Sequence, residues 1–186
     1  MAEFKTNVMR ILDKAKVKYS ALEYPHEDGV CVDGVTVAEL VGLDPAEVFK
    51  TLVTKGSSKA YFVFVIPVAE ELDLKKAAKA VCEKSVEMIH VSEINAVTGY
   101  IRGGCSPIGM KKRYKTVFHS SALEQKTVTV SAGRIGYQIS LAPHDLISLS
   151  GATTADIIRG HKKRDSSASR FEFVEFTFSN TLQTVC

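Results

Sequence analysis

Two features of this 186-residue chain have the residue types to do chemistry. The first is Gly99-Tyr-Ile-Arg-Gly-Gly-Cys-Ser-Pro-Ile-Gly109, with four glycines in eleven residues and the cations Lys111-Lys112-Arg113 just behind it. Glycines let a backbone bend sharply and approach a ligand, presenting N–H groups that no side chain screens. The adjacent cations suit an anionic ligand, or one attached to an anion. The second is Lys50, inside the apolar run Val48-Phe49-Lys50-Thr51-Leu52-Val53. Two readings of it stay open: a side chain on the solvated face of a half-buried strand, or a cation at a pocket mouth that binds a phosphate or polarises a carbonyl.

Side-chain acid–base and covalent chemistry find little support. The glycine loop matches neither a Walker A nor a dinucleotide-binding fingerprint, so a plain tight turn between strands is the competing reading. Ser106 precedes Pro107 without the strand–turn–helix setting of a nucleophile elbow. Cys105 has no base at an informative spacing among His90, His119 and His144, and no carboxylate pair stands out. Cys31, Cys82, Cys105 and Cys186 form no CxxC pair and have no histidine at ligand spacing, so neither metal nor cofactor is expected. A glycine loop and one lysine without an acid–base pair imply binding and positioning.

The length fits one domain with a sizeable core, and 45% apolar with 24% charged residues is ordinary for a globular chain. A net charge of +3 is too small to announce nucleic-acid binding. Lys75, Lys76 and Lys79 form one cationic cluster, and Lys111, Lys112, Arg113 and Lys115 another; each could equally be a solvated face. No apolar run approaches the roughly 18 residues of a membrane span, and Met1-Ala-Glu-Phe-Lys5 lacks the plan of a signal peptide. A reduced, cytoplasmic protein is expected.

The elements that must position these residues are partly legible. Val8, Ile11, Leu12 and Ala15 share one face of a helix over Asn7–Lys16, with Thr6 or Asn7 as cap. Val17–Tyr24 reads as a strand and Thr36–Val41 as a short helix stopped by Gly42. Val48–Thr54 and Tyr61–Val68, joined through Gly56-Ser-Ser58, read as a central β-hairpin. Leu72–Cys82 has helical periodicity, with Asp73 in the first turn. Further strands are predicted at Val86–Ile89, Tyr100–Arg102, Lys115–Phe118, Thr127–Ser131 and Tyr137–Leu141, with short helices at Ala122–Gln125 and Pro143–Leu149. The pattern is that of an α+β fold with a curved or closed sheet. Residues 1–160 form the domain; 161–186 read as a tail, either disordered or adding an edge strand through Phe171-Glu-Phe-Val-Glu-Phe-Thr-Phe178.

Several motifs stand in the order of one known family: Phe49-Lys50-Thr51-Leu52, Leu72-Asp-Leu-Lys-Lys-Ala-Ala-Lys79, Val86-Glu87-Met88, and Thr98-Gly-Tyr through Gly103-Gly104 to Ser106-Pro-Ile-Gly109. Lys112-Arg113, Val130-Ser131-Ala132-Gly133 and Ala142-Pro143 continue the series. Over Asn7–Arg159 the chain resembles the YbaK/EbsC-type proteins, free-standing relatives of the prolyl-tRNA synthetase editing domain. The resemblance implies a mixed, curved, barrel-like sheet flanked by helices, and deacylation of mischarged tRNA(Pro), Cys-tRNA(Pro) foremost. It implies catalytic roles for Lys50 and Gly103, and substrate contacts from Tyr24, Thr51, Gly104, Ser106 and Ser131. Lys75, Lys76, Lys79, Lys111, Lys112 and Arg113 become candidates for tRNA contact, with prolyl-tRNA synthetase as a potential partner and no membrane. In the Cys-tRNA(Pro) deacylases of that family the substrate's own thiol attacks its ester, which fits the missing acid–base pair. Two other readings stay open: Ala-tRNA(Pro) cleaved by water, and a non-catalytic module that binds tRNA or the synthetase. Cys105 stands where the family often has an aliphatic residue, and Arg102 adds a charge beside the glycines.

Overall fold

A computed structural model describes residues 4–27 and 29–160. The tail expected over 161–186 lies outside the described residues.

The predicted hairpin is the centre of the fold. Strands β2 (Phe49–Gly56) and β3 (Tyr61–Pro67) pair antiparallel, with Lys50 opposite Ile66 and Leu52 opposite Phe64. β3 is an unbroken apolar run because both of its faces are covered. Val63 and Val65 point into a core with Leu12, Phe118, Val130 and Ile139. Phe62, Phe64 and Ile66 point the other way, against Ala77, Ala78, Val81, Val117 and Ile157. The period-2 alternation of one strand thus serves two hydrophobic layers. β4 (Val86–Met88) pairs antiparallel on the far side of β2, while β5 (Lys115–His119) runs parallel to β3 and β8 (Thr153–Ala155) parallel to β5. The second sheet is antiparallel, in the order β1 (Tyr19–Glu23), β7 (Tyr137–Leu141), β6 (Val128–Ser131).

The two sheets meet at one seam, where Val48 bridges Thr129 and the Thr129 N–H donates to the Glu47 carbonyl at 2.8 Å. The mixed α+β architecture is as expected, but among the described residues the strands do not close into a barrel.

Local chemistry accounts for most helices. Thr6 caps α1 (Asn7–Lys14) by accepting from the Met9 N–H. Asp33 caps α2 (Gly34–Leu40), and Pro143 opens α5 (Pro143–Ser150), where its missing N–H is harmless. Asp73 is the N-cap of α3 (Leu74–Val81), accepting from the Lys75 and Lys76 N–H groups, one step before the first-turn position expected for it.

The glycine loop departs from expectation. Tyr100–Arg102 is no strand: Gly99 and Gly103 both take positive φ, and the segment between them turns. Preceding it is an unpredicted helix, α4 (Val91–Thr98). Its sequence is rich in β-branched residues, which disfavour helix. Its start carries no Ser, Thr, Asp or Asn cap; instead the Glu93 carboxylate accepts from the His90 N–H.

Candidate active site

A cleft of about 270 Å³ opens beside the seam. β2 supplies Lys50, Thr51 and Leu52, the end of β1 supplies Tyr24, and the end of β6 supplies Ser131. The turn at Arg102–Gly103 and the segment Cys31–Gly34 ahead of α2 close it. Of the seven residues expected at the ester site, Tyr24, Lys50, Thr51, Gly103 and Ser131 line this one cleft, and Gly104 and Ser106 do not.

Lys50 is half-buried, and its Nζ donates to the Val68 carbonyl at 2.9 Å. Desolvation pulls its pKa below the ordinary lysine value, while Glu71 and Glu70 pull it back up. The side chain is therefore a cation in partly dry surroundings, held at the cleft wall by a backbone carbonyl. Thr51, next to it on β2, has a buried hydroxyl with no hydrogen-bond partner among the described residues.

The glycine pair divides its roles. Gly103 sits at φ +84°, and a Cβ there would lie 2.9 Å from the Cys31 Sγ, so only glycine fits without strain. Its N–H has no acceptor among the described residues. The Gly104 N–H, in contrast, is committed to the Ile101 carbonyl at 3.0 Å. Gly104 also packs on backbone, since a Cβ there would lie 3.3 Å from Arg134 Cα and Ile135 N. Ser106 is fully buried, and its hydroxyl accepts from the Ile108 N–H at 3.4 Å. Both residues thus build the loop that Gly103 exposes.

Tyr100 pins the same loop, its hydroxyl donating to the Ile108 carbonyl at 2.6 Å. Cys105 lines the cleft, but burial pushes its thiol pKa up to about 12, so it stays a neutral thiol at neutral pH.

No general base faces the cleft among the described residues. No histidine lines it, and Asp33 is the single carboxylate in the lining. That carboxylate is spent on capping α2. The Thr36 hydroxyl and the Val35 and Thr36 amides bind it and hold its pKa below the usual carboxylate range.

The two cationic clusters fall outside the cleft lining. On α3, Lys76 is tied to the Asp156 carboxylate at 2.7 Å and the Ile158 carbonyl at 2.9 Å, while Lys75 and Lys79 are exposed. Lys111 donates to the Asn95 carbonyl at 3.0 Å, and Lys112 and Arg113 border a separate hollow with Ile11 and Leu149. Sequence reasoning missed Cys31, Val37, Val68 and Gln138 in the lining. Gln138 faces Ser131 across the β6–β7 ladder, a neighbour that only strand pairing reveals. A larger, shallower hollow of about 820 Å³ between the N-terminal segment, α1 and β1 contains none of the expected site residues.

Among the described residues no group of three His, Cys, Asp or Glu could hold a metal, and no helix is long and apolar enough to cross a membrane. Residues 31–149 match the aminoacyl-tRNA editing domain family. The chain is 47% identical over 154 residues to EbsC of Enterococcus faecalis (strain ATCC 700802 / V583), named as a candidate Cys-tRNA(Pro)/Cys-tRNA(Cys) deacylase; the match spans 82% of this chain and 93% of that protein. Its fold is similar to that of a candidate trans-editing enzyme for prolyl-tRNA synthetase (TM-score 0.71, 22% identity, 84% of this chain and all of the other, 100%). It is also similar to that of the hypothetical protein APE2540 (TM-score 0.74, 22% identity, 83% and 100% covered).

Proposed function

The chain belongs to the aminoacyl-tRNA editing domain family, and from that premise we propose that it deacylates mischarged tRNA(Pro), Cys-tRNA(Pro) foremost, by positioning the ester for attack by the substrate's own thiol. The observation that carries this reading is a cleft with a half-buried cation and an unengaged backbone N–H but no available base among the described residues, its one carboxylate being a helix cap. Such a site can bind and polarise an ester; the nucleophile must come from elsewhere. A cysteinyl ester brings one, because a thiol ionises near neutral pH where a serine hydroxyl or an alanine methyl does not.

The reaction balances without a protein nucleophile. The substrate thiol gives its proton to water, and the thiolate forms a C–S bond to the ester carbonyl carbon. The C–O bond to the ribose breaks, the ribose oxygen takes a proton from water, and a small thiolactone leaves. Charge builds on the carbonyl oxygen, where the Gly103 N–H and the Lys50 ammonium stabilise it. The walls formed by Tyr24, Val37 and Val68 exclude water and hold the bent conformer. Thr51 and Ser131 offer hydroxyls to the bound ester.

We place this activity in the cytoplasm, with prolyl-tRNA synthetase as a partner that supplies tRNA affinity which a net charge of +3 does not. Incubation with Cys-tRNA(Pro), Ala-tRNA(Pro), Ser-tRNA(Pro) and Pro-tRNA(Pro) tests it. Fastest loss of the cysteinyl ester is expected. Faster loss of the alanyl ester would favour attack by water. Salt-sensitive tRNA binding with every ester intact would mark a non-catalytic module.

A further inference from the structure

We infer that the apolar cleft beside the ester site is the seat of the substrate's terminal nucleobase, with Arg102 stacking over it; the inference rests on the deacylase reading above. This second cleft measures about 330 Å³ and is walled by Leu52, Met88, Ile89, Val91 and Ile94, with Arg102 at its rim. It is continuous with the ester cleft, because Thr51, Leu52, Arg102, Gly103 and Cys105 line both.

Two observations point to a planar, apolar-faced ligand. Met88, Val91 and Ile101 are 46%, 56% and 50% exposed, and they lie around Arg102 in this cleft and the adjoining hollow. Clustered exposed apolar side chains beside a reaction site mark a binding surface. Arg102 is exposed and has no hydrogen bond or ion pair among the described residues, although it borders the ester cleft, the apolar cleft and the hollow beside them. A guanidinium so placed can lie flat on an aromatic ring while its edge meets a phosphate.

Connectivity then selects the occupant. In an aminoacyl-tRNA the ester is carried by a ribose, and the base attached to that ribose must lie next to the ester. A ligand whose carbonyl reaches Lys50 and Gly103 therefore presents its base across the Thr51–Leu52 ridge. Single-stranded RNA ends are commonly held in this way, the base splayed onto apolar side chains and an arginine plane.

Two measurements test the site. In amide NMR spectra of the unaltered protein, adenosine 5′-monophosphate should shift Leu52, Met88–Val91 and Ile94, whereas ribose 5-phosphate should not. In deacylation of Cys-tRNA(Pro), Met88→Asp and Arg102→Ala should each raise KM by about tenfold with kcat nearly unchanged, the scale of one lost base stack. Arg102→Lys, which keeps the charge but not the plane, should recover only part of that loss. An unchanged KM in both variants, or equal shifts with the nucleotide and with ribose 5-phosphate, overturns the nucleobase site. If the unaltered protein cleaves no mischarged tRNA, the deacylase reading falls instead, whatever the NMR shows.

Discussion

Lys50 is where the chemistry and the cost of folding meet. Burial disfavours its charged form, so its folded pKa lies below its unfolded value. Below the folded pKa the ammonium is a standing cost to stability, and that cost fades as pH rises from the lowered value toward that of an ordinary lysine. Catalysis feels the opposite sign. The rate should climb as the substrate thiol ionises and fall once Lys50 loses its proton, giving a bell whose alkaline limb lies below the ordinary lysine range. Lys50→Arg should move that limb to higher pH. Lys50→Ala should lower kcat/KM on the order of 100-fold, the scale of one lost oxyanion-stabilising donor. Its melting temperature should stay close to that of the parent, because a partly desolvated charge is lost together with one hydrogen bond. A large drop in melting temperature would mark Lys50 as structural.

At the scale of elements, the glycine loop holds its shape through a buried tyrosine. The Tyr100 ring occupies the space that side chains at Gly109 and Gly133 would fill: a Cβ on Gly109 would lie 2.7 Å from the Tyr100 hydroxyl, and one on Gly133 2.9 Å from the ring. Gly133 also has φ +89°. Gly133→Ala adds strain and a clash, and should destabilise the protein by on the order of 1–3 kcal/mol. Denaturant unfolding measures the loss, and an unchanged midpoint would show that the ring yields at no cost. The hairpin β2–β3, the cap at Thr6 and the stop at Gly42 were readable because each depends on residues a few positions apart. α4 and β8 were not. One is a β-branched helix with an unusual cap, and the other is a three-residue strand defined only by its partner β5.

For the whole molecule, the two cationic clusters should prove unequal. Lys76 is bound to Asp156 and Ile158, whereas Lys112 and Arg113 are exposed without such ties among the described residues. Lys112→Ala and Arg113→Ala should each reduce the salt slope of tRNA binding by about one, and Lys76→Ala should leave it unchanged. Slopes unchanged from the parent in Lys112→Ala and Arg113→Ala would remove both residues from the tRNA surface. The amino-acid sequence by itself determined most of the local elements and, through motifs in one order along the chain, the family. Which side chains share the cleft was decided by tertiary structure alone, because Tyr24, Lys50, Gly103 and Gln138 meet only when two sheets join at Val48 and Thr129. The same packing left one amide of the glycine pair without an acceptor among the described residues and committed the other to a structural turn. No periodicity or spacing encodes that choice, since the Ile101 carbonyl reaches Gly104 and not Gly103 only in the folded loop.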